Sequence, residues 1–224
     1  GTDLGIQNVL EFDRQSGKIT YNPSSIPKLN QPLNICPGMT GVRNWQASAY
    51  HPETQAFYIP IRLGCEKVSF GDVKPENTGN FYFYGNPEYN GATHLGISPF
   101  PGSPERGQLV AMHVSGKILW RHTLAAGGAP SALTTAGGLV VTADADRYLY
   151  IDDVVTGTTL FKTRLPSAAT GFPISYAVNG RQYLAVSVSA RAPIAGNAMY
   201  AFALPEAGGA PARGGEAWVG LTAS

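Results

Sequence analysis

The segment 34–46 concentrates side chains that can do chemistry: Asn-Ile-Cys-Pro-Gly-Met-Thr-Gly-Val-Arg-Asn-Trp-Gln. The carboxamide of Asn44 offers hydrogen-bond donors and an acceptor, so this residue either binds a ligand or forms a turn. Trp45 beside it either contacts a ligand or packs in a core. Cys36 has one possible partner in the chain, Cys65, 29 residues further on. These two cysteines form either a disulfide, which would indicate an oxidising compartment, or two free thiols.

The chain lacks the ligand patterns of the common metal sites. Asp144-Ala145-Asp146 begins like a calcium loop, but no glycine and no closing glutamate follow at the required offsets, so we interpret it as a turn. No Cys-x-x-Cys-His haem motif is present, and the histidines share no ligand spacing. They are His51, His94, His113 and His122. The sequence therefore predicts no metal ligand on this chain.

The elements that must position these residues are short strands. Residues 139–142, 148–151 and 158–161 are β-branched or aromatic runs separated by turn residues. A fourth run, 182–188, follows the Asn-Gly dipeptide at 179–180, which is a strong hairpin signal. We predict that these four antiparallel strands form one blade of a β-propeller.

The blade is repeated along the chain. Residues 111–120 align with 151–161, about 40 residues apart as in propeller repeats, and 12–21 form a weaker third copy. The 27 glycines and 17 prolines interrupt every helical pattern. The fold class is therefore all-β with about four blades, a partial propeller over 1–206. The Gly- and Pro-rich residues 207–224 are expected to be a C-terminal extension.

Charge and hydropathy exclude some partners. The net charge is +1, only 14% of residues are charged and no basic run occurs, so nucleic acid is a poor candidate. No apolar stretch reaches the roughly 18–20 residues of a transmembrane helix, so we expect no membrane span.

The ordered set of motifs resembles the C-terminal part of the pyrroloquinoline-quinone (PQQ)-dependent alcohol dehydrogenases, the quinoprotein family that includes methanol and ethanol dehydrogenases. The resemblance is carried by the Cys-Pro segment that leads into Asn44-Trp45-Gln46, by Cys65, by the blade 137–157, and by Tyr-Ala-Val-Asn-Gly-Arg-Gln-Tyr-Leu-Ala-Val at 176–186. It covers most of residues 10–206. It implies the last four or so blades of an eight-bladed propeller and a structural Cys36–Cys65 disulfide.

The resemblance also implies cofactor contacts, residue by residue. Asn44 falls on the asparagine that hydrogen-bonds the quinone, and Trp45 lies near the cofactor or packs in a blade. Ala129 occupies the position where some relatives present a tryptophan to the quinone. Arg191 either pairs with a cofactor carboxylate or is a solvated loop arginine.

The implied activity is oxidation of alcohols or sugars by hydride transfer to PQQ, with Ca²⁺ or a lanthanide as the metal. In relatives, the metal ligands and the catalytic base precede the segment that Asn44 matches, so we expect no catalytic residue here. The N-terminal remainder of the propeller would be a separate chain or a missing segment. Cytochrome c is the family's usual electron acceptor, and the location would be periplasmic or secreted. The alternative is a non-catalytic propeller that acts as a protein-binding scaffold, against which Asn44 and the cysteine pair argue.

Overall fold

In the part of the chain that the computed structural model describes, nearly all regular elements are short antiparallel strands. The structure describes residues 8–71, 92–100, 102, 105–124, 126–127, 131–189 and 197–204. Within these ranges the chain forms one short 3-10 helix, Pro23–Ser25, and no α-helix, so none of them holds a helix that could cross a membrane. The strands are β1 (Val9–Phe12), β2 (Ile19–Tyr21), β3 (Leu33–Ile35), β4 (Ala49–His51), β5 (Ala56–Arg62), β6 (Cys65–Phe70), β7 (Ala92–Ser98), β8 (Gly107–His113), β9 (Ile118–Leu124), β10 (Leu133–Thr135), β11 (Leu139–Ala143), β12 (Tyr148–Asp153), β13 (Thr159–Arg164), β14 (Ile174–Val178), β15 (Arg181–Val188) and β16 (Ala198–Ala203).

The chain divides into two compact units, the first of which comprises residues 1–44 and 63–106. Its described part contains the hairpin β1-β2 and the sheet β3-β6-β7. Cys36, directly after β3, and Cys65, the first residue of β6, form a disulfide, as the resemblance predicts. The disulfide joins the residue after β3 to β6, in which Cys65 and Val68 are buried.

The second unit comprises residues 45–62 and 107–224, and its described part contains three antiparallel sheets. We call β4-β5-β8-β9 the first sheet, β10-β11-β12-β13 the second and β14-β15-β16 the third. The first and second sheets pack together through Tyr58, Leu109, Val140 and Val154, among others. The second and third sheets share a separate buried cluster. The all-β prediction with repeated sheets is therefore confirmed.

One strand assignment is wrong. The sequence places 182–188 in the same sheet as 139–142, 148–151 and 158–161, whereas β15 belongs to the third sheet and the fourth strand of the second sheet is β10. The Asn-Gly turn at 179–180 does form a hairpin, with φ of 50° and 78°, but it joins β14 to β15. A hairpin signal predicts that the two strands beside it pair with each other. It does not predict which sheet the pair belongs to.

The predicted repeat is confirmed in its local geometry. The hairpins β1-β2, β8-β9 and β12-β13 each turn through a glycine in the left-handed region, and each ladder contains one register shift. In β12-β13, the Asp153 carboxylate accepts the N–H groups of Val155 and Thr156 at 2.9 and 2.8 Å. These bonds, those of Thr156 first, hold the pKa of Asp153 below its usual value.

Candidate functional site

Three segments of the second unit, which we call the entry segments, lead into the first strand of each sheet: 45–48, 131–132 and 165–173. The first two are bonded to each other. The Ala47 N–H donates to Ser131 Oγ at 2.9 Å, and the Ala132 N–H donates to the Ala47 carbonyl at 2.9 Å. These bonds fix the backbone directly after Trp45.

The third entry segment brings an aromatic ring to Trp45. Phe172 lies with its ring centroid 6.4 Å from that of Trp45, and the two planes are at 89°. The Thr170 N–H donates to the Ser187 carbonyl at 3.1 Å. A Cβ on Gly171 would lie 2.0 Å from Ser187 Oγ, so the absence of a side chain permits this close approach. Phe172 is thus carried by a tightly packed backbone.

Both rings are nonetheless exposed, Trp45 by 63% and Phe172 by 53% of their surface. Trp45 therefore does not pack in a core formed by the described residues, which was one of its two interpretations. Large apolar rings held in place yet uncovered are typical of surfaces that bind another molecule. No pattern in the sequence marks Phe172, because it stands singly between a glycine and a proline.

Asn44 lies in the first unit and is exposed. The backbone before it is held by several bonds, among them Gly38 N–H to the Gly64 carbonyl at 3.0 Å and Met39 N–H to Glu66 Oε2 at 2.9 Å. Asn44 is thus an exposed residue that follows an anchored stretch of backbone.

The other two predicted cofactor contacts, Ala129 and Arg191, lie outside the described residues. The backbone can be followed up to the start of the segment that holds Arg191. There the Ser189 N–H donates to the Ala168 carbonyl at 3.2 Å. Ser189 thus lies beside the third entry segment.

A polar cluster lies where β9 of the first sheet meets β12 of the second, and sequence reasoning missed it. His122 Nδ1 is 2.5 Å from Asp152 Oδ2, and Asp152 is fully buried. Tyr150 OH donates to Asp144 Oδ2 at 2.8 Å, and burial followed by this bond raises the pKa of Tyr150. Asp144 also accepts the Tyr148 N–H, so the turn interpretation of 144–146 is confirmed.

Among the described ranges, no three His, Cys, Asp or Glu side chains are grouped so that they could hold a metal ion. The rings of His51, His113 and His122 lie within hydrogen-bond distance of the side chains of Thr54, Ser115 and Asp152, respectively. The described candidate residues for ligand contact are therefore the carboxamide of Asn44 and the rings of Trp45 and Phe172.

Comparisons with known proteins agree on one family. Residues 100–184 match the family described as PQQ: Glucose/ethanol/alcohol dehydrogenase, beta-propeller domain. The chain is 33% identical over 187 residues to a lanthanide-dependent methanol dehydrogenase of Methylorubrum extorquens, covering 79% of this chain and 30% of the relative. It is 31% identical over 161 residues to methanol dehydrogenase [cytochrome c] subunit 1 of Paracoccus denitrificans, covering 68% of this chain and 24% of the relative.

The fold is shared with a europium-containing methanol dehydrogenase, with a TM-score of 0.71 at 24% identity over 82% of this chain and 31% of that one. The chain spans about 30% of the length of the curated relatives it matches. The fold class is an all-β partial propeller. The sequence matches, the shared fold and the ordered motifs lead to one conclusion: this chain belongs to the PQQ-dependent alcohol dehydrogenase family.

Proposed function

We propose that the chain forms one side of the PQQ site of a dehydrogenase that oxidises alcohols or sugars. The observation that carries this proposal is the anchored, exposed pair Asn44-Trp45, with Phe172 against the Trp45 ring. The family description, which names glucose, ethanol and alcohol dehydrogenases, supports both substrate classes. The named relatives are dehydrogenases, which favours this function over a scaffold.

The described residues fit the chemistry of such a cofactor. PQQ is a flat heteroaromatic quinone with carbonyl and carboxylate oxygens, and it supplies the hydride acceptor when it is bound. The carboxamide of Asn44 can donate to an oxygen of the ring system. The exposed indole of Trp45 offers an apolar surface for a flat ring, and covering it would remove that surface from water.

The remaining parts of the proposal concern residues and segments beyond these three. We propose that Arg191 pairs with a cofactor carboxylate and that Ala129 leaves one ring face without the aromatic contact of some relatives. The Ca²⁺ or lanthanide ligands and the catalytic base would lie on the complementary N-terminal part of the propeller. Within this chain, 1–206 would form propeller blades and 207–224 an extension.

The compartment and the electron acceptor are further proposals. The disulfide Cys36–Cys65 supports a periplasmic or secreted location, because disulfides persist in oxidising compartments. The relative from Paracoccus denitrificans carries cytochrome c in its name, which supports a cytochrome c acceptor.

The test combines the chain with the complementary propeller segment, PQQ and Ca²⁺, and measures alcohol-dependent dye reduction together with quinone affinity. Asn44→Ala should weaken quinone binding about tenfold, the value of one hydrogen bond of roughly 1–1.5 kcal/mol. Asn34→Ala is the matched control, since Asn34 is an exposed asparagine on β3 of the same unit. Absence of dye reduction in the unmodified protein, or equal effects of the two substitutions, would contradict the proposal.

A further inference from the structure

The stretch 36–48, between β3 and β4, contains no strand, yet it carries Asn44 and Trp45. A strand ladder fixes backbone positions through regular bonds, whereas an irregular segment depends on individual contacts. Residues that bind a ligand need their positions held to within about 0.5 Å. The contacts that hold this stretch therefore bear directly on what Asn44 and Trp45 can do.

On the N-terminal side, the anchor is the carboxyl group of Glu66. This side chain is only 5% exposed, and its Oε2 accepts the Met39 N–H at 2.9 Å. It packs so closely on the backbone that a Cβ on Gly38 would lie 2.7 Å from Glu66 Cδ. Burying a carboxyl group costs free energy unless hydrogen bonds compensate, and the Met39 N–H supplies one such bond.

On the C-terminal side, the anchor is the hydroxyl group of Ser131. Ser131 is 1% exposed, and its Oγ accepts the Ala47 N–H at 2.9 Å. The Ala47 carbonyl in turn accepts the Ala132 N–H. The stretch is thus held at residue 39 by one buried side-chain acceptor and at residue 47 by another.

We propose that Glu66 and Ser131 are positioning residues for ligand binding: Glu66 fixes the backbone before Asn44 within the first unit, and Ser131 fixes the backbone after Trp45 within the second. The inference rests on the proposed function, because the ligand concerned is the quinone. Each acceptor holds one end of the stretch 39–47, and neither side chain needs to touch the ligand. Loss of either bond leaves a backbone N–H without its partner and allows the segment between the anchors to shift.

The variants separate positioning from general stability. Ser131→Ala and Glu66→Ala remove the acceptors, whereas Glu66→Gln keeps an oxygen at a similar position and should restore wild-type behaviour. Thr134→Val is the control, because Thr134 Oγ1 of the second sheet donates to the Tyr50 carbonyl of the first at 3.0 Å. It removes a side-chain donor to a carbonyl outside the stretch 36–48, whereas Ser131→Ala removes the acceptor of an N–H inside that stretch.

In the protein assembled with its complementary segment, Ser131→Ala and Glu66→Ala should raise the Kd for PQQ about three- to tenfold, and Thr134→Val should not. In a Trp45→Ala background the effect of Ser131→Ala should shrink, because the residue that it positions is gone. If Ser131→Ala and Thr134→Val weaken binding equally, or if Ser131→Ala adds fully to Trp45→Ala, the positioning role is wrong. Should Glu66→Ala fail to fold, Ser131→Ala still decides the matter.

A measurement without quinone distinguishes this inference from the proposed function. Amide hydrogen exchange of residues 42–46 in the quinone-free chain should accelerate in Ser131→Ala and Glu66→Ala, and stay unchanged in Glu66→Gln and Thr134→Val. Acceleration in a protein that never binds PQQ would overturn the proposed function and leave the two anchors standing. Unchanged exchange together with unchanged Kd would overturn the anchors alone.

Discussion

The second unit contains two aromatic surfaces with opposite properties. At the junction, where Trp120, His122 and Leu124 of β9 meet β12 and the turn after it, the Trp120 Nε1–H donates to the Val154 carbonyl at 3.0 Å. There Leu124 and Asp152 have no exposed surface. At the entry segments, Trp45 and Phe172 lie largely exposed. Both surfaces hold their rings in fixed positions, but only the junction covers them.

This difference separates scaffold from binding surface. Burial and satisfied hydrogen bonds stabilise the folded state, so substitutions at the junction should lower the free energy of unfolding. Exposed rings contribute little to that free energy, so substitutions at the entry segments should change ligand affinity instead. The following predictions are meant to break this separation, beginning with the largest expected effect.

Trp120→Ala should lower the free energy of unfolding by about 3 kcal/mol, because it removes a packed indole and one of the two donors to the Val154 carbonyl, the other being the Tyr58 hydroxyl. Chemical denaturation measures the change. Trp45→Ala is the control and should stay within about 0.5 kcal/mol of the unmodified chain. Equal losses at the two tryptophans would contradict the separation.

Gly157→Ala should lower the free energy of unfolding by about 2–3 kcal/mol. Its φ is +72°, and a Cβ would lie 2.6 Å from the Trp120 ring. Gly17→Ala provides a matched control, since its φ is +73° and nothing lies within 4 Å of its Cβ position. At Gly17 the substitution should cost only about 1 kcal/mol, from the backbone strain of a positive φ. If both substitutions cost the same in denaturation, Trp120 does not depend on contact with Gly157.

Tyr150→Phe should cost about 1 kcal/mol at neutral pH, because the bond to Asp144 is lost. The pKa of Tyr150 is raised, so above pH 10 the unfolded chain loses a proton that the folded chain keeps. Stability from this group is therefore complete below pH 10 and declines as the pH rises further. Denaturation from pH 8 to 12 should show a smaller decline in Tyr150→Phe, and an identical decline would refute this assignment.

Phe172→Ala should change the free energy of unfolding by less than about 0.5 kcal/mol and weaken quinone binding several-fold. Phe57→Ala is the control, because Phe57 is 40% exposed and also pairs with a neighbouring ring, that of Tyr50. Calorimetric titration with PQQ compares the two. A stability loss at Phe172 above 1 kcal/mol, or equal affinities of the two variants, would count against the role of Phe172 in binding.

The sequence predicts local structure well where turn chemistry decides it. The repeated hairpins and the Asn-Gly turn are read from residues next to each other in the chain, and the structure contains them. Membership of β15 in the third sheet is not predictable in this way, because β10 has only three residues and gives no alternating pattern.

The residues of the candidate site divide in the same way, into those that the sequence predicts and those that become relevant only in the structure. Asn44, Trp45 and the cysteine pair follow from the motif order that resembles the family. Phe172, Glu66 and Ser131 become relevant only through contacts between residues far apart in sequence, such as Ala47 with Ser131. Composition and spacing carry no information about such contacts.

The central proposal is that the quinone contacts the entry segments of the second unit, with the junction as scaffold. Amide hydrogen exchange of the assembled protein with and without PQQ tests it most directly. The account predicts increased protection at 38–48 and 167–173 and unchanged exchange at 118–124 and 148–154. Protection confined to the junction, or no change at 38–48 when PQQ is bound, would contradict the claim.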